Sequence, residues 1–240
     1  MSSFVSALRA SQTVDSTFKY ETDSVARIVI PSDEGATATK VRLTSISSYY
    51  RMIRKKEWTP DAEVGANGCI TDGRSEAIVT PKRVVIWSPL STGMFGGPKE
   101  KPGRATGGVM PLNMIDQIER DGRLGLMFRV DAGDVLTDGM ALSLEFADAT
   151  GARQFSSALA SVVPAFWAGE AKSAKSMLAL GLYGPDSSNK LYRMMGESFT
   201  KKAAVDVAKV EAEMAKLGDL DWADAKAPLS ISLARVGVPF

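Results

Sequence analysis

Apolar residues alternate with polar ones through the first part of this chain, then recur at three- and four-residue spacing from about Gly151 onward. Before that change, Ala26 to Ile30, Thr39 to Ile46, Val109 to Ile118, Leu124 to Val130 and Met140 to Phe146 read as strands. The clearest pair is a hairpin, in which Ala77 to Val79 and Val84 to Trp87 flank a Thr80-Pro81-Lys82-Arg83 turn. In the last strand Leu142, Leu144 and Phe146 face one side and Ser143 and Glu145 the other. After the change, Phe155, Leu159, Val162, Val163 and Phe166 predict an amphipathic helix from about Gly151 to Trp167. A second helical pattern runs from Ala171 to Leu182 and stops at Gly184-Pro185. A third runs from Ser188 to Leu217, with Asp186 or Ser187 as N-cap and Gly218 as stop. Many strands followed by a helix predict an α+β fold, with an antiparallel sheet between Ala26 and Phe146 and the helix packed on it.

This pattern divides the chain into a loosely held segment, residues 1–22, a β domain with its helix, residues 23–168, and a helical extension with a tail, residues 169–240. The tail carries Leu229, Ile231, Leu233, Val236 and Val238, which suit an added strand or a segment lying along a groove. Between Ser91 and Gly108 lies a glycine- and proline-rich stretch without periodicity, expected to be a long irregular loop.

Composition narrows the chemistry. The 240 residues are 45% apolar and 24% charged, ordinary globular usage, and the net charge of +1 attracts neither nucleic acid nor an acidic substrate as a whole. Any polyanion site must be a local patch. Cys69 is the sole cysteine and histidine is absent, so no disulfide forms within the chain and the usual His/Cys zinc sets cannot be built. His-centred triads are excluded with them. The start, Met1 to Ala10, lacks the pattern of a secretory signal, and no stretch reaches the ~18 apolar residues of a membrane span. The expectation is a soluble, cytoplasmic protein with neither cofactor nor metal.

The hairpin Ala77-Ile-Val-Thr-Pro-Lys-Arg-Val-Val-Ile-Trp87, then Met110-Pro-Leu-Asn-Met-Ile-Asp-Gln-Ile118, two short strands and a helix, together resemble the bacterial pleckstrin-homology-like (GRAM-type) domains. The likeness spans roughly residues 63–167. It implies a bent antiparallel β-barrel or sandwich capped by a C-terminal helix, and a binding module for inositol phospholipids, peptides or partner proteins. The insertion between Ser88 and Val109 and the extension after Trp167 depart from that pattern.

Three groups of residues are candidates for contact. Lys99, Lys101 and Arg104 in the glycine-rich loop are offset only by Glu100, and exposed amides with cationic tips suit a phosphate. In the domains this chain resembles, basic residues on such a loop contact headgroup phosphates. The bland alternative is a solvated loop.

Tyr49, Arg51, Arg54, Lys55, Lys56 and Trp58 interleave aromatics with cations, a pattern suited to base stacking or a membrane interface; more simply, Tyr50, Ile53 and Trp58 anchor a short helix. Ala203, Val207, Val210, Met214 and Leu217 form a coiled-coil-like stripe, a self-association face if its own domain leaves it uncovered. Ser187-x-x-Lys190 and Ser198-x-x-Lys201 lack the companion motifs of a nucleophile site. Asp131, Asp134 and Asp138 lack the spacing of a calcium loop.

The sequence reading is therefore a non-enzymatic interaction or regulatory module. Its partner is expected to be a protein or a second copy. The alternatives are a peripheral module holding acidic lipid through loop 91–108 and an enzyme without a recognisable motif.

Overall fold

The computed structural model describes residues 21–22, 28–53, 70–88, 90–92, 98–100, 106–131, 137–184, 186–224 and 227–239, and side chains at 30–46, 75–87, 109–128, 141–184, 186–224 and 227–239. The strands are β1 (Glu21–Thr22), β2 (Ile28–Val29), β3 (Thr39–Ile53), β4 (Ile70–Val79), β5 (Arg83–Ser88), β6 (Leu90–Thr92), β7 (Pro98–Glu100), β8 (Thr106–Pro111), β9 (Ile115–Asp121), β10 (Arg123–Asp131), β11 (Thr137–Phe146) and β12 (Leu229–Ser232). The helices are a single turn α1 (Ser32–Gly35), then α2 (Ala149–Ala179), α3 (Lys190–Ala203) and α4 (Val207–Gly218).

The fold is α+β, as the pattern predicts. Eight strands form one antiparallel sheet in the order β12-β9-β10-β11-β3-β4-β5-β8. The sheet is not closed. β8 and β9 are joined by only the 3-10 turn Leu112–Met114, yet β8 is one edge and β9 lies next to the other. Such a connection requires the sheet to bend back on itself, with Leu112–Met114 as the corner. The expected single strand from Val109 to Ile118 is therefore two strands, because Pro111 cannot donate to a ladder and the buried Leu112 and Met114 turn inward there.

The hairpin follows the expected register, with Val79 opposite Val84 and Thr80 to Arg83 between. Alternation along β5 sends Val84 and Ile86 to the main core and Val85 to a small cluster with Ile78 and Val109 on the opposite face, against which Ile30 and Ala38 pack. Trp87 shares the Val85 face and is buried there, so it does not belong to the core of Leu144 and Leu159.

The helices differ more from the pattern. α2 runs without interruption from Ala149 to Ala179. The boundary expected at residue 168 thus falls inside a helix. The helix passes Gly169, an exposed position, because Ala171 and Ala174 continue the buried face set by Phe155, Leu159, Val163 and Trp167. Asp148 caps the start, accepting a hydrogen bond from the Gly151 amide at 2.7 Å.

Conversely, the single helix expected over Ser188 to Leu217 is two. Val205 is buried at the break, and Asp206 starts α4 by accepting from the Lys209 amide. β12 pairs with β9, adding a strand to the sheet edge. Arg120, on β9, holds the segment leading to β12: its Nη1 donates to the carbonyls of Asp224 at 2.7 Å and Ala227 at 3.0 Å, and its guanidinium lies 4.9 Å from the Trp222 ring centre.

Glu34 and Arg83 form a charged pair in the interior. Glu34 of α1 is 2% exposed; Arg83 Nε donates to its Oε2 at 2.9 Å, Arg83 Nη2 donates to its Oε1, and Thr80 Oγ1 donates to Oε2 at 2.9 Å. This two-pronged clamp fastens α1 to the hairpin turn. Outside it, the Lys82 ammonium beside the exposed Asp33 holds that carboxyl below the ordinary aspartate range. Whatever stability this surface pair adds is present above that range and is lost as pH falls through the lowered value.

Two outcomes test this packing. Leu159→Ala and Leu144→Ala, both at fully buried positions of one cluster, should each lose about 2–5 kcal/mol in denaturant unfolding. Arg83→Met should lose about 3–5 kcal/mol by stranding the Glu34 carboxylate, and the added change Glu34→Leu should restore much of the loss in the same measurement.

Candidate interaction surface

The far end of α2 and the start of α3 form a helical hairpin that extends past the core. Ala174 is the last buried position on α2 and Gly196 the first on α3; among the described residues, none between them is buried. At 1.5 Å per residue, the free end of α2 and the first turns of α3 each extend about 8–9 Å beyond those positions.

The tip's geometry follows from glycines and capping. Gly181, with φ of 70°, takes the left-handed conformation that closes α2, donating to the Leu178 carbonyl at 3.1 Å. This stop comes three residues before the expected Gly184-Pro185. Asn189 opens α3, its side chain accepting from the Leu191 amide at 2.9 Å, in place of the expected Asp186 or Ser187. Ser187 instead accepts from the Asn189 amide at 3.3 Å, a local turn contact.

Gly184 and Gly196 bring turn and helix together. A Cβ on Gly196 would lie 2.7 Å from the Gly184 nitrogen and 3.0 Å from its Cα. Above that crossing the Tyr183 ring packs edge-on against Tyr192 and Phe199, with centroids 5.3 and 5.2 Å away. Lys202 reaches Glu170 at 2.6 Å and ties the two helices lower down.

On this frame sit Leu180, Leu182, Leu191, Tyr192 and Met194, 60, 56, 59, 39 and 58% exposed. They are all of the large apolar side chains that are exposed among the described residues. A concentration of exposed apolar side chains on one structural feature marks contact surfaces in soluble proteins. Lys175, Lys190 and Arg193 are exposed around them and Lys172 is exposed about one turn further back along α2, with Asp186 the one carboxylate between Lys172 and Arg193. The chain as a whole carries +1, so the tip is much more positive than the average surface.

The sequence did not single out this tip. Leu180 and Leu182 read as the end of an apolar helical pattern, and Leu191 and Met194 as part of a longer helix. The available signal was their position on both sides of Gly-Pro-Asp-Ser-Ser-Asn, since turn residues of that kind are exposed and expose their neighbours.

The expected sites fare differently. Val210, Met214 and Leu217 are fully buried and Val207 half-buried, because α2 and the β12 segment cover the stripe on α4; it is not a free self-association face. Tyr49 and Arg51 lie on β3, their backbones opposite Ala141 and Gly139, so the chain is extended there rather than turning into the expected short helix. Their side chains, and Arg54, Lys55, Lys56 and Trp58, lie outside the described residues.

Lys99 is on β7, paired with Ser91 of β6, so a two-stranded ribbon occupies part of the stretch expected to be irregular. Lys101 and Arg104 lie outside the described residues, as does Asp134 of the aspartate group; Asp131 and Asp138 are on the paired strands β10 and β11.

Among the described residues no helix is long and apolar enough to cross a membrane. Comparison with protein-family models, curated proteins and solved structures gives no match.

If the close approach of Gly184 and Gly196 sets the tip, Gly196→Ala should displace it. The expected loss is about 1–3 kcal/mol of stability, with amide exchange accelerated over 180–195 before the sheet is affected, as read by hydrogen exchange.

Proposed function

We propose that this chain is a binding module, not an enzyme, and that it engages its partner through the hairpin tip between α2 and α3. One observation carries the reading: the exposed large apolar side chains of the described residues are gathered on a single projecting feature rather than scattered. Leaving five such groups in water is unfavourable, whereas covering a Leu or Met side chain is worth about 1.5–3 kcal/mol. The tip's fixed internal packing favours the same reading, because a contact surface held by Tyr183, Gly184 and Gly196 loses little freedom when it binds.

The pleckstrin-homology-like architecture remains part of the proposal. It is supported by the antiparallel sheet bent at Leu112–Met114 and by α2 packed on β3, β4 and β11. On this reading the sheet is a scaffold and the helical hairpin is the part that makes contact.

The test is site-directed photocross-linking in the cells that make the protein. A photoreactive phenylalanine in place of Leu191 should cross-link to a partner in high yield, while the same residue in place of the exposed Glu211 on α4 should not. Equal yields at the two positions would remove the tip from the reading.

A further inference from the structure

We infer that the partner of the tip is an anionic lipid surface, entered by Leu180, Leu182, Leu191 and Met194 and held by Lys172, Lys175, Lys190 and Arg193. This rests on the reading that the tip is the contact surface and adds the chemistry of what it meets.

Three observations favour that occupant. First, the apolar residues come from the end of α2, the turn after it and the first turns of α3, so they surround a convex end rather than line a groove. Covering them requires a surface that yields around the tip, as the boundary between headgroups and acyl chains does.

Second, the charges sit where such a boundary needs them. Lys172 and Lys175 lie one to two turns behind Leu180, and Lys190 and Arg193 flank Leu191 and Met194. Lysine and arginine can extend their heads to the phosphates while their stems stay beside apolar groups. None of these four cations is in an ion pair with a described carboxylate within 4 Å, whereas Lys202 is bound to Glu170.

Third, a second copy fits poorly. Symmetric pairing through the tip would bring two sets of four cations together, and five side chains fall short of the ~800 Å² per partner of a standard interface. None of the tip residues belongs to the glycine-rich stretch of Lys99, Lys101 and Arg104, so the two candidates can be told apart by substitution.

The experiment is vesicle flotation of the full chain with phosphatidylcholine alone and with phosphatidylcholine containing phosphatidylserine, at low and high salt. Two tip variants are compared with the wild type: an apolar set, Leu180→Ser, Leu182→Ser, Leu191→Ser and Met194→Ser, and a charge set, Lys172→Gln, Lys175→Gln, Lys190→Gln and Arg193→Gln. All eight positions are exposed, and an unchanged thermal midpoint confirms that each variant is folded.

The wild type should float with the anionic vesicles and much less with neutral ones, releasing as salt rises. Each cation at the surface is worth about fivefold in partition at low salt, so the charge set should lose at least tenfold. The apolar set should lose a similar amount even at low salt.

Absence of flotation at low salt overturns the inference. If Leu191 nevertheless cross-links to a protein, the tip reading stands and the occupant is an acidic protein surface. Flotation that survives both tip variants but is lost on Lys99→Gln, Lys101→Gln and Arg104→Gln also overturns the inference, placing lipid contact on the glycine-rich loop, and the tip reading is then decided by the Leu191 cross-link.

Discussion

A single helix carries the apolar surface that both halves of the molecule need. Along α2, Phe155, Leu159, Val163 and Trp167 join one cluster with Leu43, Leu142 and Leu144 of the sheet and with Val210, Met214 and Leu217 of α4. α2 is the main cover of these sheet side chains, and it shares the covering of α4 with the β12 segment. Their burial therefore depends on where α2 lies, and the helix can pass Pro164 and Gly169 because its packing outweighs what those residues cost. The same continuity carries α2 beyond the sheet, and the tip exists because the helix outlasts the surface it covers.

Polar contacts then fix what the apolar core leaves free. Hydrophobic burial has little directional preference, but the clamp of Arg83 on Glu34 has one geometry, and it decides how α1 meets the β4–β5 turn. Arg120 does the corresponding work at the other side of the sheet, binding backbone carbonyls that no strand satisfies. Both arginines sit where an irregular segment must be held against a regular one.

The sheet was largely legible in the sequence because period-two alternation reports a strand's own environment, as in Leu142, Leu144 and Phe146. Contacts distant along the chain were not. Arg83 read only as the last residue of the Thr80 to Arg83 turn, because its partner lies 49 residues earlier. Gly169 read as a boundary because its cost is local while the packing that overrides it is not. Val210, Met214 and Leu217 were correctly read as one apolar face, but a face alone does not say whether α2 or a second chain covers it. The tip was hidden for the converse reason: periodicity marks residues suited to burial and is silent on whether anything is there to bury them.

The pairing of β12 with β9 has a consequence for how the molecule is assembled. Arg120 and the Ala227 carbonyl it grips are 107 residues apart, and the intervening chain contains two more sheet strands and three helices. A contact of such sequence separation carries a loop-closure cost that falls when β10, β11 and the helices already hold its two ends close together. Without β12, the outer ladder of β9 would be an unprotected edge, open to a strand from another chain. The four residues of β12 thus seal that edge, and a chain in which they are undocked would be open to edge-to-edge association.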